Sequence, residues 1–184
     1  QNVVYTNAEG RYFIFGHLFD MQERKDLTAE KRGQLPPPAA ASKIAFADLP
    51  FDHAIKSVKG TGARKIAVFA DPNCTYCKSF EGELAKIDNL TVYTFMIPIL
   101  SEDSRKKAAA IWCSPDRAKA WRKTLLEDKA PEKSPGCDAT SVLDQNLALS
   151  SQLGIHGTPT YLLPDGSITP GAAPAATLIR LLGK

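Results

Sequence analysis

The sequence predicts an α/β fold on three observations. The run Lys65-Ile66-Ala67-Val68-Phe69-Ala70 is short and almost continuously apolar, the pattern of a strand buried on both faces. An amphipathic helical pattern and a second strand, Thr91 to Met96, follow it directly, which makes a βαβ unit. The chain then closes on a strand, a turn, a strand and a helix. The 184 residues, 43% hydrophobic and 23% charged, have ordinary globular composition, which excludes a disordered or collagen-like chain.

From the start, Val3-Val4-Tyr5-Thr6 and Tyr12-Phe13-Ile14-Phe15 are β-rich runs joined by Asn7-Ala8-Glu9-Gly10, which suits a hairpin. Between Met21 and Leu35 large aliphatic residues are sparse, so any helix there is weakly amphipathic and faces solvent. Pro36-Pro37-Pro38 cannot sit in a helix interior or a central strand, and Pro36 to Ser42 reads as a semi-rigid linker at a domain boundary. Phe51, Ile55 and Val58 fall at helical spacing within Leu49 to Lys59, and Gly60-Thr61-Gly62 stops the pattern, so a short linker helix is expected.

After the buried strand, Asp71-Pro72-Asn73 turns the chain. Cys77, Phe80, Leu84 and Ile87 then recur at three- and four-residue steps along one helix face. Helical patterns at Glu102 to Cys113, Arg117 to Leu126 and Val142 to Leu153 form a helical insertion. The ending comprises Thr160 to Leu163, the turn Pro164-Asp165-Gly166-Ser167, a brief strand around Ile168 and a helix from Pro174 to Leu182. Three parts follow: residues 1–35, a linker and linker helix over 36–60, and an α/β domain over 61–184 with its insertion at about 102–153.

Net charge is +3 with the basic residues scattered, which argues against a nucleic-acid partner. The longest apolar stretches, such as Val92 to Leu100, fall far short of the roughly 20 residues of a membrane span. The chain begins with Gln1, without a basic stretch leading into an apolar run, so a targeting peptide is expected to be absent or already removed.

Chemistry concentrates in the cysteines. Cys74-Thr75-Tyr76-Cys77 stands where a buried strand hands over to a helix. A sulfur at the helix N-terminus faces unpaired N–H groups and the positive end of the helix dipole, which favours the thiolate and marks Cys74 as the nucleophile. Cys77, one turn on, is expected to be the more buried. That asymmetry suits thiol–disulfide exchange: Cys74 attacks a disulfide and Cys77 resolves the mixed disulfide. The alternatives are an inert disulfide and a zinc site. The latter lacks a second close ligand pair, since Cys113 and Cys137 are 24 positions apart with no histidine within ten of either. Cys113 and Cys137 suit a structural bridge worth about 3 kcal/mol and implying an oxidising compartment, with a second redox pair as the alternative. Gly157-Thr158-Pro159-Thr160 precedes a strand, where a cis peptide would present backbone polar groups at the sheet end.

The runs FADPNCTYCKSF, AIWC with GCD, and QLGIHGTPTYLLPDGSITPG together resemble the bacterial periplasmic disulfide isomerases of the DsbC and DsbG type. The resemblance extends from about Asp48 to the C-terminus and, less strongly, over VVYTNAEGRYFIFGHLFD, which is similar to the end of that family's N-terminal dimerisation domain. It implies a thioredoxin-like fold, with Cys74 attacking, Cys77 resolving, Thr158 and Pro159 gripping substrate backbone, and Cys113 bonded to Cys137. Thr75 and Tyr76 stand where the family's branches carry Gly-Tyr or Pro-Tyr, positions that bear on redox potential and substrate. Also implied are a periplasmic setting, misfolded or oxidised secreted proteins as substrates, a membrane reductase of the DsbD type as electron source, no soluble cofactor, and a homodimer. A chain unable to dimerise is expected to act more as a reductase or oxidant than as an isomerase. Two further readings are a DsbG-like reductase of sulfenylated single cysteines and a chaperone-like binding module with secondary redox activity.

The remaining candidates have plain readings first. His17 and His53 are ordinary, and His156 is a surface residue with tuning of Cys74 as the alternative. Glu83 is a solvated helix-face carboxylate, with proton acceptance from Cys77 as the alternative. Asp71 is a turn residue and Trp112 and Trp121 pack the insertion. Tyr76 either contacts substrate or is merely exposed.

Overall fold

A computed structural model describes residues 4–16, 18–23, 25–34, 44–131 and 134–183. The chain divides into two compact units, residues 1–41 and 42–184. Within the first, β1 (Val4–Thr6) pairs antiparallel with β2 (Phe13–Phe15), the expected hairpin. Its turn is built by Asn7, whose Oδ1 accepts from the backbone N–H groups of Arg11 and Tyr12. A second, two-residue ladder joins β3 (Phe19–Asp20) to β4 (Lys25–Asp26), and α1 (Leu27–Gln34) follows. Thr28 is fully buried there, and its Oγ1 accepts the Leu18 N–H at 2.7 Å. The expected proline linker and His17 lie outside the described residues.

The second unit is built on one five-stranded sheet, β5 (Ile55–Lys59), β6 (Arg64–Ala70), β7 (Leu90–Met96), β8 (Thr160–Leu162) and β9 (Ile168–Pro170), in the order β5-β7-β6-β8-β9. Only β6 and β7 run parallel, with α2 (Thr75–Leu84) between them in sequence. The linker helix expected over Leu49 to Lys59 is not formed. Phe46–Asp48 and Phe51–His53 are single 3-10 turns, and Ile55–Lys59 is the edge strand against β7. Three apolar residues suggest a helix face, but Val58 is 54% exposed while Phe51 packs on Tyr93 at a 40° tilt with centroids 4.2 Å apart. The ladder offered by β7 outweighs the weak local helical signal. The turn into β6 depends on Gly62, whose φ is +66° and where a Cβ would stand 2.6 Å from Thr91 Oγ1.

β6 is buried on both faces, as its apolar run requires. Ile66, Val68 and Ala70 point into one core with Phe80, Leu84, Trp121 and Leu178. Ala67 and Phe69 alternate to the other, against Phe95, Ile97, Leu149 and Leu162. Phe69 and Phe95 are fully buried and stacked at 5.0 Å, so truncating either to Ala would cost about 3–5 kcal/mol. The helical patterns form α3 (Glu102–Trp112), α4 (Arg117–Glu127), α5 (Thr140–Gln152) and α6 (Ala175–Leu182). α3 is capped by Ser101, whose Oγ accepts the Ser104 N–H, and α4 by Asp116, which accepts from Lys119. The Cys113–Cys137 disulfide closes the loop across the insertion, with Cα atoms 5.8 Å apart.

Candidate active site

The site forms where β6 runs out. Asp71 is fully buried and works as a turn residue of unusual reach. Its Oδ1 accepts the Asn73 N–H at 2.8 Å, and its Oδ2 accepts those of Ile99 and Leu100 at 2.9 and 3.0 Å. The turn is thereby tied to the segment that follows β7. Cys74 is the N-cap of α2, extended at φ −78°, and its Sγ accepts the Cys77 N–H at 3.2 Å. A sulfur thus takes the place that a serine or aspartate oxygen usually fills, at the helix end that favours negative charge.

On its other side Cys74 Sγ donates to the Thr158 carbonyl at 3.3 Å. The Thr158–Pro159 peptide bond is cis. The loop is held by Thr160 Oγ1 on the Gly157 carbonyl at 2.8 Å and by the Gly171 N–H on the Pro159 carbonyl at 2.7 Å. Sequence separation of 84 residues thus closes to one hydrogen bond because β8 pairs with β6.

Cys74 and Cys77 are both free and both buried, Cys77 the more deeply at 2% exposure against 6%. Burial, and next the neighbouring Cys74 sulfur, pushes the Cys77 thiol well above the usual cysteine range. Thr75 and Tyr76 between them are exposed, Tyr76 at 72%. His156 is exposed two residues before Thr158. Since Cys113 is bonded to Cys137, neither can complete a metal set with Cys74 and Cys77.

Two features escape sequence reading. Glu83, the acid considered as a proton acceptor for Cys77, is engaged elsewhere: its carboxylate accepts the Ala175 N–H at 2.8 Å at the start of α6 and pairs with Lys86. Lys86 and that N–H hold its carboxyl below the usual range. Glu81 is a second, half-buried acid, whose carboxylate accepts from Trp121 Nε1 at 3.2 Å; burial holds its carboxyl above the usual range. Its signal was an acid between Phe80 and Leu84 on an otherwise apolar face.

The other feature is a polar cluster on Asn73. Its Nδ2 lies 2.8 Å from Asp103 Oδ2 and 3.2 Å from both Ser101 Oγ and Ser104 Oγ, while its Oδ1 accepts from Lys107 Nζ at 2.8 Å. Lys107 also meets Asp103 and Asp128, each at 3.2 Å. The residue before Cys74 is thereby fastened to α3 and to the end of α4.

Comparison with known proteins agrees with this geometry. Residues 51–184 match the model of a thioredoxin-like domain, and residues 1–29 match that of a disulfide bond isomerase N-terminal domain. A probable thiol:disulfide interchange protein DsbC of Bordetella pertussis is 42% identical over 173 residues, covering 94% of this chain and 59% of that protein. The Escherichia coli K12 thiol:disulfide interchange protein DsbC is 28% identical over 186 residues, covering 98% of this chain and 72% of that protein. A solved disulfide interchange protein from Neisseria gonorrhoeae superposes with a TM-score of 0.68 at 40% identity, over 73% of this chain and 96% of that one. The chain spans about three fifths of the length of the Bordetella relatives.

Proposed function

The chain belongs to the thioredoxin-like family and, within it, to the disulfide interchange proteins of the DsbC and DsbG type, and from that premise we propose that it is a thiol–disulfide oxidoreductase that isomerises or reduces non-native disulfides in secreted proteins. The observation that carries this is the place of Cys74 Sγ, between the Cys77 N–H and the Thr158 carbonyl.

The Cys74 thiolate attacks one sulfur of a substrate disulfide. A Cys74–substrate bond forms, the substrate S–S bond breaks, and the departing thiolate takes a proton from solvent. From there two routes return the enzyme. A different thiolate of the same substrate attacks the substrate sulfur of the mixed disulfide and releases Cys74 with a rearranged bond, which is isomerisation; the freed thiolate returning there would only restore the original bond. Otherwise Cys77 loses its proton and attacks Cys74 Sγ, forming the Cys74–Cys77 disulfide and leaving the substrate with two more thiols, which is reduction. The high proton affinity of Cys77 slows the second route and lengthens the life of the mixed disulfide, which favours rearrangement.

Thr158 and Pro159 are the residues that meet substrate backbone, with Thr75 and Tyr76 contacting it beside the sulfur. The Cys113–Cys137 bridge is structural and suits an oxidising compartment, here the periplasm. A membrane reductase of the DsbD type keeps Cys74 and Cys77 reduced, and residues 1–35 support a homodimer. The test is recovery of activity from a scrambled multi-disulfide enzyme in a glutathione buffer. Recovery well above background for this chain, and at background for Cys74→Ser, supports isomerisation; loss of substrate disulfides without recovered activity replaces it with reduction alone.

A further inference from the structure

A cavity of about 450 Å³ opens beside Cys74, and Thr158 is not among the residues that line it. Its walls are the Pro72–Thr75 turn, Lys78 on α2, Lys107 on α3, Thr124 and Leu125 on α4, and Asp128. The topology explains the placement. β8 flanks β6 on one side and delivers the Thr158 carbonyl, while β7 flanks it on the other and leads into α3, whose first turns bind Asn73. Substrate backbone at Thr158 therefore leaves this second side of the sulfur for a neighbouring side chain.

The charges in the walls are unequal. Lys107 is enclosed by Asn73, Asp103 and Asp128, so its charge is already answered within the protein. Asp128 is likewise turned to Lys107. Lys78 is exposed and takes part in no ion pair among the described residues. It lies four residues after Cys74, on the same helix face and one turn along from the sulfur. The positive end of α2 opens on the same space.

We propose that this cavity is a subsite for an acidic side chain flanking the substrate cysteine, with Lys78 as the specificity-determining cation and the Asn73–Lys107 cluster as the fixed wall behind it. The inference rests on the exchange function above and names the substrates it prefers: disulfides whose cysteines stand next to Asp or Glu.

The probe is a set of short peptides with one cysteine joined to 2-thiopyridine, flanked on both sides by Asp, Ala or Lys. Attack of Cys74 on the peptide sulfur forms the Cys74–peptide disulfide, breaks the probe's S–S bond and releases the thione, which is followed by absorbance. The reduced chain is expected to favour the Asp over the Lys peptide about fivefold in second-order rate at low salt, the scale of one partly exposed charge pair. The preference shrinks toward one as salt shortens the screening length. In Lys78→Glu the ratio falls to one or reverses, and in Lys78→Gln it is intermediate; unfolding midpoints verify that both variants are folded. The readout is a ratio because a lysine acting only on the Cys74 thiolate would scale all three peptides alike. A ratio of one in the parent chain, or a preference untouched by Lys78→Glu, overturns the subsite alone. Absence of thione release from every peptide overturns the exchange function, and the subsite with it.

Discussion

Cys74 Sγ donates to the carbonyl oxygen of Thr158 at 3.3 Å, and the same sulfur accepts the N–H of Cys77 at 3.2 Å. One atom thus joins the helix that carries both cysteines to the loop that carries the cis proline. Much of what the chain is expected to do follows from that junction.

The two cysteines should fail differently. Cys74→Ser removes the attacking sulfur and is expected to bring exchange to background. Cys77→Ser keeps the attack and removes its resolution, so mixed disulfides with substrate should accumulate, visible as adducts on a nonreducing gel that disappear with reductant. Equal, complete loss of attack in both variants would contradict the division of roles.

Ionisation of Cys77 links stability to pH. In the unfolded chain the thiol ionises near about 8.5, whereas burial raises it in the fold. The stability it contributes is whole below the unfolded value and is lost as pH rises toward the folded one. Reduced protein should therefore lose up to about 2 kcal/mol from this group by about pH 10. Denaturant unfolding from neutral to alkaline pH should show a shallower decline in Cys77→Ala than in the parent.

Glu81 has the same sign at lower pH. Burial raises its carboxyl, so ionising it costs the fold stability as pH rises through the folded value, offset in part by Trp121 and Arg122. Glu81→Gln can still accept from Trp121 and carries no charge. It is expected to unfold at a higher temperature than the parent near neutral pH, the difference narrowing in acid; a lower midpoint throughout would show that the charge itself is needed.

Asp71 should be among the costliest polar residues to lose. Asp71→Ala strands the N–H groups of Asn73, Ile99 and Leu100, each of which donates to its carboxylate. Leaving such donors unpaired, with a charged acceptor gone, predicts about 3 kcal/mol or more of destabilisation by urea unfolding.

The insertion depends on its disulfide. A Cys113→Ala, Cys137→Ala double variant should be less stable by about 3 kcal/mol, while the Cys74 thiol remains available to alkylation. Cys113 and Cys137 are 24 residues apart, so the bridge restricts a substantial unfolded loop.

These expectations differ in how far they could be read from sequence. The βαβ unit was legible because β6 is apolar from Ile66 to Ala70 and the α2 pattern repeats along one face. The place of Cys74 and Cys77 at the start of α2 and the cis Thr158–Pro159 bond were legible because each is signalled by a short local motif. β5 was not: Phe51, Ile55 and Val58 satisfy helical spacing, and only the pairing with β7 decides the matter. The strands β3 and β4, two residues each, are too short to carry a period. Glu81 and Lys107 were hidden for another reason. Their roles come from partners 40 and 34 positions away, Trp121 and Asn73; the apolar neighbours of Glu81 mark its face but not its partner, and nothing local distinguishes Lys107 from an ordinary helix-face charge.

The most direct test is alkylation of the reduced chain by iodoacetamide at near-neutral pH, stopped at one adduct per molecule and mapped by peptide mass. The account predicts the label on Cys74, with Cys77 unmodified until the chain is unfolded or the pH is raised. Equal labelling of the two cysteines, or labelling of Cys77 first, would contradict the assignment of Cys74 as the attacking sulfur.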